Sequence, residues 1–97
     1  MPTEELKRKA YGFIFLKVNL GKENEVTSKL LTFSEVKEVH ELTGEKDLLV
    51  VVELEHDILA VLSTTKRIAD FVKDKISLIN NVTDTDTIIP IRTIVKT

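Results

Sequence analysis

Cysteine is absent from this 97-residue chain, which excludes disulfides, thiolate metal sites and thiol nucleophiles and fits a reducing compartment. Glycine and proline are scarce, at three and two residues, so fibrous and low-complexity classes are excluded and no glycine-rich phosphate loop exists. No apolar run approaches the roughly 18 residues of a membrane span, and the start MPTEELKRKA lacks the apolar core of a signal peptide. The expected location is therefore the cytoplasm, without a membrane partner. A formal net charge of -2 supplies no cationic field for a phosphate backbone, so nucleic acid is disfavoured as a direct partner. What remains is ordinary globular composition, 42% hydrophobic and 31% charged, in a length that supports one packed domain.

The chain is organised around Val39 to Glu55, VHELTGEKDLLVVVELE, read as two strands joined by a turn at Gly44. Asp47 leads into Leu48 to Val52, which is apolar throughout, and the stretch reads as a central strand, whereas Val36 to Thr43 mixes apolar and charged residues and reads as its more peripheral partner. Before them, residues 1–10 are polar and read as a short arm. Tyr11 to Leu20 is a strand apolar on both faces, and Gly21 stops it. Val26, Leu30 and Phe33 then mark a helix over Lys22 to Phe33. After the hairpin, Asp57 is expected to cap a long helix from Ile58 to Ile79, distorted near Ser63-Thr64-Thr65 and ended by Asn80-Asn81. Thr83 to Val95 is the last strand, and Pro90 places it at an edge or breaks it. The order βαββαβ predicts an α+β, ferredoxin-like fold, a four-stranded antiparallel sheet with both helices on one face. Phe13, Phe15 and the Leu48 to Val52 run then leave apolar side chains on the other face, which predicts a homodimer packed sheet on sheet.

Little in the chain carries chemistry. His40 and His56 lack a second histidine at ligand spacing, and Asp84 and Asp86 lack the rest of a calcium loop. Ser28, Ser34, Ser63 and Ser77 sit in no nucleophile motif. No metal, cofactor or catalytic residue is expected, and the chain reads as a non-enzyme. The polar groups that the fold would gather are Asp47, after the Gly44 turn, and Thr85 and Thr87, which share one face of the last strand. A carboxylate with hydroxyls and turn amides suits an amino-acid zwitterion. The same residues also suit a turn-closing bond for Asp47 and cross-strand threonine pairing.

The string LTGEKDLLVVVEL, set between a strand, a helix and VKEVHE on one side and a long helix and VTDTDTIIPI on the other, resembles the effector-binding domain of the Lrp/AsnC (feast/famine) transcription regulators. The resemblance covers about residues 11 to 95, in a single domain over 11–97, with Gly44 and Asp47 at the TGxxD spacing and Val82, Thr85 and Thr87 at the VxxTxT spacing. It implies an amino acid or related small molecule bound at contacts between dimers, near Gly44, Asp47, Thr85 and Thr87. It further implies higher oligomers and co-assembly with a full-length regulator of the family. Three departures stand out. Ten residues before the first strand leave no room for a helix-turn-helix, so the expectation is a stand-alone effector domain that cannot read DNA. Lys46 stands where an aromatic is common, and the stretch around Leu59 to Lys66 is about two helical turns longer than usual. These departures keep two other readings in view, a structural assembly partner without ligand and a small dimeric enzyme using His40 and nearby glutamates.

Overall fold

The computed structural model describes residues 7–57, 64–91 and 94. Its elements are β1 (Lys7–Val18), α1 (Glu23–Leu30), β2 (Val36–Glu41), β3 (Leu48–Asp57), α2 (Thr64–Phe71), a π-helical turn continuing α2 (Val72–Ile76), and β4 (Val82–Ile88). The strands form one antiparallel sheet in the order β2-β3-β1-β4. This is the ferredoxin-like arrangement, with β3 and β1 internal, β2 peripheral and β4 at an edge.

Strand alternation sorts the side chains. Ala10, Ile14, Leu16 and Val18 of β1 and Leu48, Val50 and Val52 of β3 are buried. They form one core with Val26 and Leu30 of α1 and with Ile68, Phe71, Val72 and Ile76 of the second helical segment. Gly12 lets that segment lie close: a Cβ there would stand 2.9 Å from Ile68 Cγ2 and 3.0 Å from Val52 Cγ2. Directly opposite residues share a face, so the register defines the other side in rows. Glu38, Val51, Phe13 and Ile88 form one row, and His40, Leu49, Phe15 and Asp86 the next. Phe13, Phe15, Leu49 and Val51 are only half-buried.

Several boundaries depart from expectation. β1 begins at Lys7, inside the stretch read as an arm, because residues 7–11 pair with 53–57 in a ribbon beyond both outer strands. It ends at Val18, and Leu20 is exposed. α1 stops at Leu30, yet Phe33 still packs on the core, edge to face with Phe71 at 5.8 Å. β2 ends at Glu41, two residues before the expected Thr43. Asp57 is a strand residue opposite Lys7, and the helix start at Ile58 that it was expected to cap lies outside the described residues, as do residues 58–63 and most of the lengthened stretch.

The described part of the second helix is distorted at Val72–Ile76, whereas the helix leading into Thr64-Thr65 lies outside the described residues. The Ser77 hydroxyl donates to the Lys73 carbonyl at 2.6 Å, occupying the acceptor its own amide would use in an α-helix. That amide reaches back to Val72 O at 2.8 Å instead. Asn81 carries the expected left-handed backbone, with φ 76°. β4 ends at Ile88, before Pro90, whose missing N–H cannot extend a ladder.

Candidate functional site

Three connections meet at one end of the sheet. The β1–α1 loop is tied to the turn entering β4, since Asn19 N donates to Asn81 O at 2.9 Å and Asn19 Nδ2 to Asn81 Oδ1 at 3.0 Å. The β2–β3 turn joins them through Lys17, whose Nζ donates to Glu45 O at 2.8 Å. Gly44 makes that turn with φ 119°, a backbone that side-chain-bearing residues rarely adopt.

Asp47 is held through its backbone and one carboxylate oxygen. Its amide donates to Leu16 O and its carbonyl accepts from Leu42 N, each at 2.9 Å. The carboxylate Oδ2 accepts from Val18 N at 2.8 Å. The β1–β4 register shifts between Lys17 and Val18, and such a shift leaves ladder groups needing another partner. Asp47 supplies one for the Val18 amide. This long-range bond replaces the local turn-closing bond that its position also suggested. Its other oxygen, Oδ1, has no partner among the described residues.

Thr85 lies opposite Leu16 and Thr87 opposite Ile14, both half-buried and on one face as alternation requires. Their partners on β1 are aliphatic, so cross-strand threonine pairing does not occur. Leu48 lies on the far side of Leu16, so Thr85 stands about two strand spacings, roughly 10 Å, from the β3 end where Asp47 sits. Gly44 and Asp47 therefore share one turn, Thr85 shares their end of the sheet, and Thr87 stands two residues further along β4.

Lys46 and Asp84 were not singled out as a pair from sequence. Lys46 Nζ lies 3.2 Å from Asp84 Oδ2, joining the β2–β3 turn to the start of β4; the lysine side chain is 29% exposed and the aspartate 57%. Lys17 is the direct cross-strand partner of Asp84, so two ammonium groups approach this corner. The signals available were weak: an unusual lysine before Asp47, and an Asp-Thr alternation that sends Asp84 to the face opposite the threonines. Among the described residues no three of His, Cys, Asp and Glu gather to hold a metal. His40 Nε2 lies 2.8 Å from Glu38 Oε1, and both side chains are largely exposed on the edge strand.

The family model for the Lrp/AsnC ligand-binding domain matches residues 12–97. The chain belongs to the Lrp/AsnC ligand-binding domain family. An HTH-type transcriptional regulator, FL11 of Pyrococcus furiosus, is 45% identical over 47 residues, which are 48% of this chain and 31% of that protein. The chain thus spans about a third of the curated relative it matches. The solved structure of FFRP-DM1 is 36% identical with a TM-score of 0.71, over 84% of this chain and 99% of that one. The fold also matches the transcriptional regulator NMB0573 of Neisseria meningitidis, solved as its L-Met complex, at 21% identity and a TM-score of 0.72, over 100% of this chain and 59% of that one. The Lrp/AsnC domain is thereby related to transcription regulators. No helix among its described residues is long and apolar enough to cross a membrane.

Proposed function

We propose that this Lrp/AsnC domain binds an amino acid or a related small molecule at the turn end of its sheet and regulates transcription without chemistry of its own. It would do so by changing how it assembles with copies of itself and with full-length regulators of the family. The observation that carries the reading is the fixed turn: Gly44 and Asp47 are held against β1 at the end where β4 begins, with Thr85 two strands away. Asp47 Oδ1 is open to accept from an ammonium group. The amides of Thr43 to Lys46 have no acceptor among the described residues, and they suit a carboxylate. The L-Met complex of NMB0573 supports an amino acid as the ligand class.

Assembly begins with the open sheet face. Its two apolar rows, centred on Phe13 with Val51 and on Phe15 with Leu49, are half-buried in the single chain and suit a second sheet in a homodimer. A ligand held at contacts between such dimers stabilises only the associated form and so shifts assembly by mass action. Calorimetric titration with the twenty amino acids tests the reading. Binding by at least one supports it. Binding by none removes the sensor and leaves a ligand-free assembly partner.

A further inference from the structure

The ion pair between Lys46 and Asp84 ties the β2–β3 turn to β4, and it sits beside the residues that position the turn. Lys46 follows Gly44 by two residues and immediately precedes Asp47, so the bonds from Asp47 to Leu16 and Val18 also fix where Lys46 starts. Its side chain is largely covered, at 29% exposure, while Asp84 is 57% exposed. One partner is held in place, and the other faces solvent. An ion pair this exposed adds little to folding stability, so exchanging its members leaves the fold intact. Lys17, opposite Asp84 and bonded to Glu45 O, keeps the turn tied down if that pair opens.

We infer that Lys46 and Asp84 read the two charges of the ligand by exchange: the ligand carboxylate replaces Asp84 on Lys46, and the ligand ammonium group takes the Asp84 carboxylate. The inference rests on the amino-acid reading above and assigns this chain's own residues to it. An α-amino acid carries its two charges on one carbon, a separation that lets it enter an ion pair whose members stand 3.2 Å apart. Two ion pairs then replace one, and the net charge of the site is unchanged. A compound with only one of the charges gains one pair while breaking one, and is rejected. Asp47 has two parts in this scheme: Oδ2 stays on Val18 and holds the turn, and Oδ1 gives the incoming ammonium a second acceptor.

The test is calorimetric titration of the full chain with the amino acid that binds best, its methyl ester and its des-amino acid, against wild type, Lys46→Met, Lys46→Arg and Asp84→Asn. Wild type should bind the free amino acid about 10- to 100-fold more tightly than either analogue, the ratio expected for one charge-assisted contact. Lys46→Met should lose the discrimination against the ester, and Asp84→Asn that against the des-amino acid, while Lys46→Arg retains both. A pair that merely clips the turn would change affinity for all three compounds equally. If wild type binds the amino acid and its analogues alike, or if both charge-removing variants discriminate as wild type does, the assignment to Lys46 and Asp84 is overturned and the amino-acid reading stands. If no amino acid binds wild type, the amino-acid reading itself fails and the assignment with it. Lys46→Arg and Asp84→Asn change each side chain conservatively, so the comparison still decides the assignment if Lys46→Met fails to fold.

Discussion

Replacing Asp47 by alanine removes more than a ligand contact. Its Oδ2 holds the Val18 amide at 2.8 Å, in a half-buried position where the β1–β4 register has shifted. A hydrogen bond from an amide to a carboxylate contributes about 1.5–3 kcal/mol. Because water can reach this corner and satisfy part of the orphaned amide, the loss should be about 1–2 kcal/mol. For a domain of this size that lowers the melting temperature by roughly 5–15 °C. Asp47→Asn keeps an acceptor of the same shape without the charge and should lose about half as much. The assay is thermal unfolding by circular dichroism at one fixed protein concentration, because association itself shifts the midpoint. If Asp47→Ala melts with wild type, the carboxylate does not hold the bulge and the structural role given to it is wrong. Asparagine is therefore the better variant for asking what Asp47 does to a ligand.

Gly12→Ala should destabilise by about 1–3 kcal/mol, since the added carbon meets Ile68 and Val52 near 3 Å and the second helix must move outward; an unchanged midpoint in chemical denaturation would contradict the packing. Phe13→Asp places a charge between Val51 and Ile88 on the open face and should halve the particle mass in light scattering without loss of secondary structure. The Lys66 ammonium is raised above its ordinary 10.5 chiefly by its hydrogen bond to Asp70. Its contribution is fully present below that ordinary value and is lost as pH rises through the raised one, so helical ellipticity should not change between about pH 7 and 9.

The topology was legible because it rests on patterns spread over many residues: an unbroken apolar strand in Leu48–Val52, two helical stripes, and a glycine where the hairpin turns. Ends were less so, since they depend on single partners. Lys7 joins β1 only because β3 runs on to Asp57 opposite it, which no local pattern in KRK announces. The helix widens at Val72–Ile76 because the Ser77 hydroxyl takes the carbonyl of Lys73, and a serine at that spacing is too common to be a signal. At the site, the Gly44 turn and the shared face of Thr85 and Thr87 followed from local geometry. The grip of Asp47 on Val18 and the reach of Lys46 to Asp84 join residues far apart in the chain, visible only once β1 lies between β3 and β4.

Light scattering of the chain with and without the amino acid found by titration tests the central claim most directly. The account expects a defined oligomer built from dimers whose mass changes when that amino acid saturates it. An amino acid that binds without altering the mass would contradict control by assembly.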